Sequence, residues 1–233
     1  MEKSYPACGA VPVRIAILAK APLAGFAKTR LIPALGARGA ARLQRAFILR
    51  TLRVAQQADL GGGVQLWCAP DAHQLFFRAL QRSCGVDCMP QPAGDLGTRM
   101  QAATAEPGPV LLVGTDCPAL TAQHLRAAAD ALHKGSAAVF IPAEDGGYVL
   151  VGLQQPQPGL FHGIDWSTDR VMAQTRQRAR ALGVALCELP ALWDVDTPAD
   201  WARLTRLPGF AALARPSARV QAYARLLSPE FFA

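Results

Sequence analysis

The sequence lacks the features that define several protein classes. No apolar run approaches the roughly 20 residues of a membrane-spanning helix, and the opening residues MEKSYPACGAVP contain no hydrophobic segment of the signal-peptide type. The six cysteines include no CxxC pair and lie in scattered apolar segments, which favours buried free thiols over disulfides or a zinc site. These absences favour a soluble cytoplasmic protein that does not act at a membrane.

Lysine is also scarce, although the chain is basic. The net charge is +7, and arginine outnumbers lysine twenty to four. The positive charges neither run together nor alternate with aromatic residues, as they do on a typical nucleic-acid surface, so we expect no nucleic-acid partner. Two of the four lysines, Lys20 and Lys28, nevertheless fall in one loop, which indicates that the loop requires compact ammonium groups.

The apolar pattern predicts a single α/β domain. With 233 residues and 51% apolar content, the chain can bury one sizeable core. Strand-like runs alternate with helical patterns, which is typical of a three-layer α/β/α domain with a mostly parallel mixed sheet. GGGVQLWCAP reads as a turn and then a strand, Thr121 as a helix cap, and Ser167 or Thr168 as the start of another helix.

We predict three segments: a tail over residues 1–12, a nucleotide-binding domain over 13–206 and a helical extension over 207–233. The extension is amphipathic, and we expect it to pack on the domain or on a second copy of the chain, so that a homodimer is possible.

Polar residues follow four of the predicted strands. In open α/β sheets, ligands bind beyond the carboxyl ends of the strands, so these residues are expected to share one cleft. They are residues 20–30 after the first strand, Asp116 after VLLVG, residues 144–147 after AAVFIP, and Asp194 and Asp196 after VALCELP.

The loop after the first strand is a candidate phosphate site. GFAKT is not a Walker loop, because Ala27 stands where glycine must precede the lysine. We expect a looser turn, shaped by Gly25, in which Lys20, Lys28 and Arg30 neutralise a di- or triphosphate. The alternative is a surface loop with incidental cations.

Carboxylates near two strand ends are candidate metal ligands. Asp116 ends a buried strand, where an unpaired carboxylate is costly to desolvate. In DVDTPAD, Thr197 and Asp200 can form a short capping box, which leaves Asp194 and Asp196 without a structural role. One aspartate from each segment would suit Mg²⁺ bound partly through substrate phosphates, and structural roles for both are the alternative.

Two glycine-containing motifs are less specific. EDGGY is explained by a hairpin turn at Gly146 and Gly147, although Asp145 and Glu144 could also face the cleft. GDLGTRM offers Gly97 for a close backbone approach and Arg99 for a phosphate or a base.

Six motifs, taken in order, carry a resemblance to a known family. ILAKAPLAGFAKTRL, GDLGTRM, GTDCPAL, PAEDGGYVLVGL, FHGIDWST and LWDVDTPADW resemble the bacterial radical-SAM/selenodomain-associated transferases of type one, which have the nucleotide-diphospho-sugar transferase or glycosyltransferase-A fold. The similarity covers residues 13–206. The first motif is also similar to the phosphate-binding segment of phospholactate guanylyltransferases, and DVDTP resembles a metal-ligand segment of sugar-acid cytidylyltransferases.

The resemblance implies a transferase that uses a nucleotide and Mg²⁺ or Mn²⁺. Transferred to this sequence, it assigns the phosphates to the cations of the first loop, and the metal to Asp116 and Asp196 with Asp194 beside them. It also places two segments near the substrates: Leu96, Gly97 and Arg99 near the base or ribose, and Asp145, Gly146, Gly147 and Tyr148 near the acceptor. The first loop lacks the glycine-rich form of typical nucleotidyltransferases but keeps the cations.

Three functions remain open from the sequence. In the first, a phosphate or carboxylate of a small acceptor attacks the α-phosphate of an NTP and pyrophosphate leaves, with Lys28 and Arg30 stabilising the charge. In the second, an NDP-sugar is the donor, and Asp145 or Glu144 is the general base for an acceptor hydroxyl. The third is a nucleotide-binding module without turnover. The sequence favours the first over the second, and both over the third.

Overall fold

Seven β-strands form one mixed sheet in the computed structural model, which describes residues 11–206. The order is β3-β2-β1-β4-β6-β5-β7, in which β6 is antiparallel to β4 and β5 and all other neighbours are parallel. The strands are Val13–Lys20 (β1), Gly61–Ala69 (β2), Asp87–Pro90 (β3), Val110–Val113 (β4), Ala138–Pro142 (β5), Tyr148–Leu153 (β6) and Leu186–Glu188 (β7).

Helices cover both faces of this sheet. They are Ile32–Ala58 (α1), Leu75–Cys84 (α2), Leu96–Ala103 (α3), Ala122–His133 (α4), Val171–Ala181 (α5) and Pro198–Arg206 (α6). Helices α1, α2 and α4 share one buried core with Ile17 and Leu66, whereas α3 and α5 bury the other face around Phe140. Helix α6 buries Trp201 in a third cluster, which also contains Phe47 of α1. The predicted three-layer α/β/α domain is therefore confirmed.

The predicted boundaries fall only partly within the described residues. The extension over 207–233, and all but the last two residues of the tail over 1–12, lie outside them. Among residues 11–206, no helix is both long and apolar enough to cross a lipid bilayer.

Two predicted helix caps are present. The Thr121 hydroxyl accepts from the His124 backbone N–H, and His124 Nδ1 accepts in return from the Thr121 N–H at 3.1 Å. Before α6, Asp200 accepts from the Thr197 N–H at 2.7 Å, while the Thr197 hydroxyl accepts from the Asp200 N–H at 3.3 Å. Each reciprocal pair satisfies two backbone donors at a helix start; the sequence predicted the pair of Thr197 and Asp200 and, at Thr121, the cap alone.

Two other predicted boundaries were wrong. Helix α5 begins at Val171 rather than at Ser167 or Thr168, because Ser167 is left-handed (φ 66°) and the Thr168 hydroxyl donates to the Asp165 carbonyl in a turn. The glycines before β2 were expected to form a turn, yet β2 begins at Gly61. A Cβ at Gly62 would lie 2.4 Å from the Val13 carbonyl carbon, so the missing side chain is what allows the strands to pair there.

The sheet brings the polar segments to one edge. Because β1, β4, β5 and β7 are mutually parallel, their carboxyl ends lie on the same side. The turn between β5 and β6, residues 143–147, lies there as well. The four polar segments therefore border a common space, as predicted.

Candidate active site

A cleft with a volume of about 640 Å³ opens at this edge of the sheet. Most of the residues singled out in the sequence line it: Lys20, Lys28, Arg30, Leu96, Arg99, Asp116, Asp145, Gly147, Tyr148, Asp194 and Asp196. The structure thus gathers side chains from five separate segments of the chain around one cavity.

Three predicted ligand-binding glycines lie outside the cleft lining. Gly25 has a φ of 82°, which suits glycine in the turn of the first loop. A Cβ at Gly97 would lie 2.9 Å from the Phe161 carbonyl oxygen and 3.0 Å from the Trp166 ring, and one at Gly146 would lie 2.1 Å from the Asp169 carbonyl oxygen. These two glycines allow neighbouring segments of the protein, rather than a ligand, to approach the backbone closely.

The Lys28 ammonium group lies between the two predicted metal ligands. Its Nζ is 2.7 Å from Asp116 Oδ1 and 2.8 Å from Asp196 Oδ1, and it donates to the Val195 carbonyl at 2.7 Å. These three acceptors match the three N–H donors of an ammonium group. The Lys28 side chain is 4% exposed, whereas the two carboxylates are 41% and 37% exposed. The ammonium therefore sits behind the carboxylates, which face the cleft.

Burial and charge act in opposite directions on Lys28. Desolvation alone would lower the pKa of Lys28, but the negative charges of Asp116 and Asp196 outweigh it, and the pKa is raised above its usual value. The side chain therefore stays charged at neutral pH. Its role in holding the two carboxylates together was not apparent from the sequence, which predicted a phosphate ligand.

Helix α1 supports this cluster from the core side. The buried Gln44 amide donates to Thr115 Oγ1 at 3.1 Å, and the Thr115 hydroxyl donates to Asp116 Oδ1 at 3.3 Å. The buried Arg50 donates to the carbonyls of Pro118 at 3.0 Å and Leu120 at 3.2 Å. Sequence reasoning missed both α1 residues, although a polar residue on the apolar face of an amphipathic helix is a signal that could have found them.

Asp194 lies beside the cluster in a different environment. Burial, followed by repulsion from Asp145, Asp196 and Asp116, raises the pKa of Asp194 to about 7. No Lys or Arg pairs with it among residues 11–206.

The carboxylates present fit a divalent cation. Asp116 and Asp196 expose hard oxygen atoms to a cleft wide enough for phosphates, which is the usual environment of Mg²⁺ or Mn²⁺ in nucleotide-binding enzymes. In the part of the chain that the structure describes, no group of three or more His, Cys, Asp or Glu side chains is arranged to hold a metal by itself. Phosphate oxygens would therefore have to complete the ligand set.

The far wall of the cleft contains residues that the sequence did not assign. Trp166 lines the cavity, and its ring meets the Tyr148 ring edge-on with centroids 6.5 Å apart. Asp169 also lines it. Glu144 does not, because it forms a two-bond ion pair with Arg203 outside the cleft. Of the two predicted candidates for a general base, only Asp145 faces the cavity.

Known proteins resemble this chain in sequence and in fold. The family model described as "Uncharacterized protein conserved in bacteria (DUF2064)" matches residues 51–168. A 3-phospho-D-glycerate guanylyltransferase from Phenylobacterium zucineum (strain HLK1) is 30% identical over 190 residues, which cover 78% of this chain and 85% of that protein.

Two solved structures extend the comparison. A putative nucleotide-diphospho-sugar transferase from Desulfovibrio desulfuricans G20 has a TM-score of 0.77 and 27% identity, and covers 92% of this chain and 96% of its own. Glucosyl-3-phosphoglycerate synthase from Mycobacterium tuberculosis, in complex with Mn²⁺, UDP and glucosyl-3-phosphoglycerate, has a TM-score of 0.52 and 10% identity, covering 91% and 80%. The prediction of a transferase with the nucleotide-diphospho-sugar transferase fold is confirmed, and the association with radical-SAM enzymes stays a prediction.

Proposed function

Because this chain belongs to the DUF2064 family and is similar to a guanylyltransferase that acts on a phosphorylated acceptor, we propose that it transfers a nucleotidyl group from an NTP to the phosphate of a small molecule. An oxygen of the acceptor phosphate attacks the α-phosphorus, the bond from that phosphorus to the bridging oxygen breaks, and pyrophosphate leaves. The guanylyl transfer by the relative makes GTP the first donor to test.

One observation carries this proposal: carboxylates and unpaired cations line the same cleft. Asp116 and Asp196 meet at the Lys28 ammonium. Lys20 and Arg30 are exposed on the same cavity, and neither forms an ion pair within residues 11–206. A polyphosphate with a divalent cation requires this combination of charges, because the cation binds the carboxylates and the remaining phosphate charge needs basic side chains.

Each of the charged residues in the cleft has a role in the proposed reaction. Lys20 and Arg30 bind the phosphates of the NTP and stabilise charge that develops on the leaving pyrophosphate. Asp116 and Asp196, with Asp194 beside them, would hold Mg²⁺ or Mn²⁺. Lys28 keeps the Asp116 and Asp196 carboxylates in place from behind.

When bound, the metal would neutralise phosphate charge and favour displacement at phosphorus. No dedicated general base is required, because a phosphate monoester is already a nucleophile at neutral pH. Transfer then depends on positioning and electrostatics, which the charged side chains around the cleft supply.

Pyrophosphate release tests the proposal. The protein is incubated with each of the four NTPs and with 3-phosphoglycerate or glycerol 3-phosphate, in the presence of Mg²⁺, Mn²⁺ or a chelator. The reaction is then stopped, and the released pyrophosphate is measured with inorganic pyrophosphatase and fresh Mg²⁺. We expect metal-dependent release with one preferred NTP, and at least a hundredfold loss in Asp116→Asn. Asp130→Asn, the same change on the exposed side of α4, is the matched control and should retain activity. Absence of pyrophosphate with every NTP and both acceptors, or full activity of Asp116→Asn, would contradict the proposal.

Glycosyl transfer from an NDP-sugar is the second candidate function. The observation that favours it is the position of Asp145, which lines the cleft and pairs with no Lys or Arg among residues 11–206, and could accept a proton from an acceptor hydroxyl. The products distinguish the two reactions, because glycosyl transfer releases a nucleoside diphosphate and no pyrophosphate. Nucleotide binding without either product would indicate the third function considered from the sequence, a binding module.

A further inference from the structure

The charges around the cleft are unevenly distributed. Lys20 lies at the end of β1 and Arg30 in the loop after it, so two of the three cleft-lining cations without an ion pair among residues 11–206 flank the β1 side, and Arg99 is the third. Asp145, Asp169 and Asp194 lie around the β5–β6 turn and the segments after it, and no Lys or Arg pairs with these three within residues 11–206. Because a triphosphate needs the cations, it should lie on the β1 side. The acceptor then meets the acidic side.

The acidic side has a well-defined wall. The backbone around Asp169 packs directly on the β5–β6 turn, since a Cβ at Gly146 would lie 2.1 Å from the Asp169 carbonyl oxygen and the Met172 N–H donates to the Gly146 carbonyl at 2.8 Å. This contact places Asp169 next to Asp145. The Trp166 ring also lines the cleft and meets the Tyr148 ring edge-on. Carboxylates accept hydrogen bonds from hydroxyl groups, and aromatic rings pack against C–H groups, so the wall suits a hydroxylated carbon chain.

Arg99 supplies a group for an anion at the border of this wall. It belongs to α3, whose Gly97 packs on the Trp166 ring. Its Nη2 donates to the Gly94 carbonyl at 3.1 Å, and its buried Nε has no hydrogen-bond partner among the described residues. Arg99 lines the cleft, and a guanidinium group that keeps donors beyond its bond to Gly94 is well suited to bind a phosphate.

We propose, on the basis of the nucleotidyl transfer described above, that the acceptor is a phosphate monoester of an uncharged polyol. Arg99 holds its phosphate, and Asp145 and Asp169 accept hydrogen bonds from its hydroxyl groups. An acceptor with a carboxylate in place of a hydroxymethyl group would bring a third negative charge against these two and should be disfavoured. In this respect the chain would differ from the relative that acts on 3-phosphoglycerate.

Two acceptors test this directly, because glycerol 3-phosphate and 3-phosphoglycerate differ only in a hydroxymethyl group and a carboxylate. We would measure kcat/KM from pyrophosphate release for each, in the intact protein and in the double variant Asp145→Asn, Asp169→Asn. Asp165→Asn is the matched control, because Asp165 belongs to the same segment but is paired with Arg170 at 3.0 Å outside the cleft. Binding of each acceptor in the presence of a non-hydrolysable NTP is measured by calorimetry in parallel.

We expect at least a tenfold preference for glycerol 3-phosphate, and a shift of at least tenfold towards 3-phosphoglycerate in the double variant but not in the control. Equal use of the two acceptors, or a preference for 3-phosphoglycerate, would overturn the inference while leaving nucleotidyl transfer intact. Tighter binding of glycerol 3-phosphate that depends on the two aspartates, without pyrophosphate release, would support the inference and contradict the proposed function. Failure of both acceptors to bind would overturn the inference.

Discussion

Replacing Lys28 with methionine would test whether this side chain is an internal partner of the two carboxylates. Methionine keeps most of the length of the side chain but removes the ammonium group and its three hydrogen bonds to Asp116, Asp196 and Val195. Breaking a buried ion pair from one side typically costs about 3–5 kcal/mol. Here the carboxylates are 41% and 37% exposed, so water can solvate them after the change, and we expect a loss of about 2 kcal/mol.

The assay is urea unfolding in the presence of a chelator, so that no metal replaces the lost charge. Lys20→Met is the matched control, because Lys20 is exposed on the same cleft and forms no ion pair within residues 11–206, and its loss should change the free energy of unfolding by less than about 0.5 kcal/mol. The double variant of Lys28→Met with Asp116→Asn completes a mutant cycle. A coupling energy of at least about 1 kcal/mol is expected between the two sites. Equal stability of Lys28→Met and the unmodified protein would refute the assignment.

Three further predictions concern residues in and around the cleft. The pKa of Asp194 is raised to about 7 against a usual 3.8, so the stability that its protonated form contributes is complete below pH 3.8 and is lost as the pH rises through 7. In the presence of a chelator, the advantage in stability of Asp194→Asn over the unmodified protein should therefore grow across this range and stay constant above it. Thermal unfolding at several pH values measures this difference. Gly97→Ala should lower the free energy of unfolding by about 1–3 kcal/mol, because the new Cβ would collide with the Trp166 ring. Gly114→Ala, with nothing within 4 Å of the new carbon, should be nearly neutral when both variants are compared by urea unfolding. Glu144→Gln breaks an exposed ion pair outside the cleft, so it should lower the free energy of unfolding by less than about 1 kcal/mol and leave kcat unchanged. A large loss of kcat would contradict the assignment of Asp145 as the residue of this turn that faces the substrates.

Much of the fold was predictable because its signals are local. The strand after Pro12 is a short apolar run, and the two apolar runs around residues 143–147 leave room for only a hairpin, which makes β6 the antiparallel strand. The caps at Thr121 and Thr197 were predictable for the same reason. The start of α5 was not, because Ser167 has a left-handed backbone (φ 66°) that the sequence does not signal, and the following Asp169 packs on Gly146 of the distant β5–β6 turn.

The site was predictable as a set of residues but not as a set of contacts. The rule that ligands bind at the carboxyl ends of parallel strands brings Asp116 and Asp196 together with the first loop. The ion pairs that Lys28 forms depend on distances between side chains, which the sequence does not give. Gln44 and Arg50 left a signal in the sequence, as polar residues on the apolar face of α1, but the carbonyl and hydroxyl groups that they bind could not be predicted from it. Trp166 left none, because it lies in a loop without periodicity.

The hydrogen bonds from Gln44 and Arg50 have a consequence for how the cleft moves. They fasten residues 115–120 to the face of α1 that packs in the main core, so this wall can open only with the core itself. In the loop at residues 22–27, the Phe26 and Ala27 amides donate to the Leu23 carbonyl within the loop. Amide hydrogens behind Asp116 should thus exchange at the rate of global unfolding, while those of the loop exchange through local opening. Nucleotide entry would then be accommodated by the loop alone, against a wall that stays fixed.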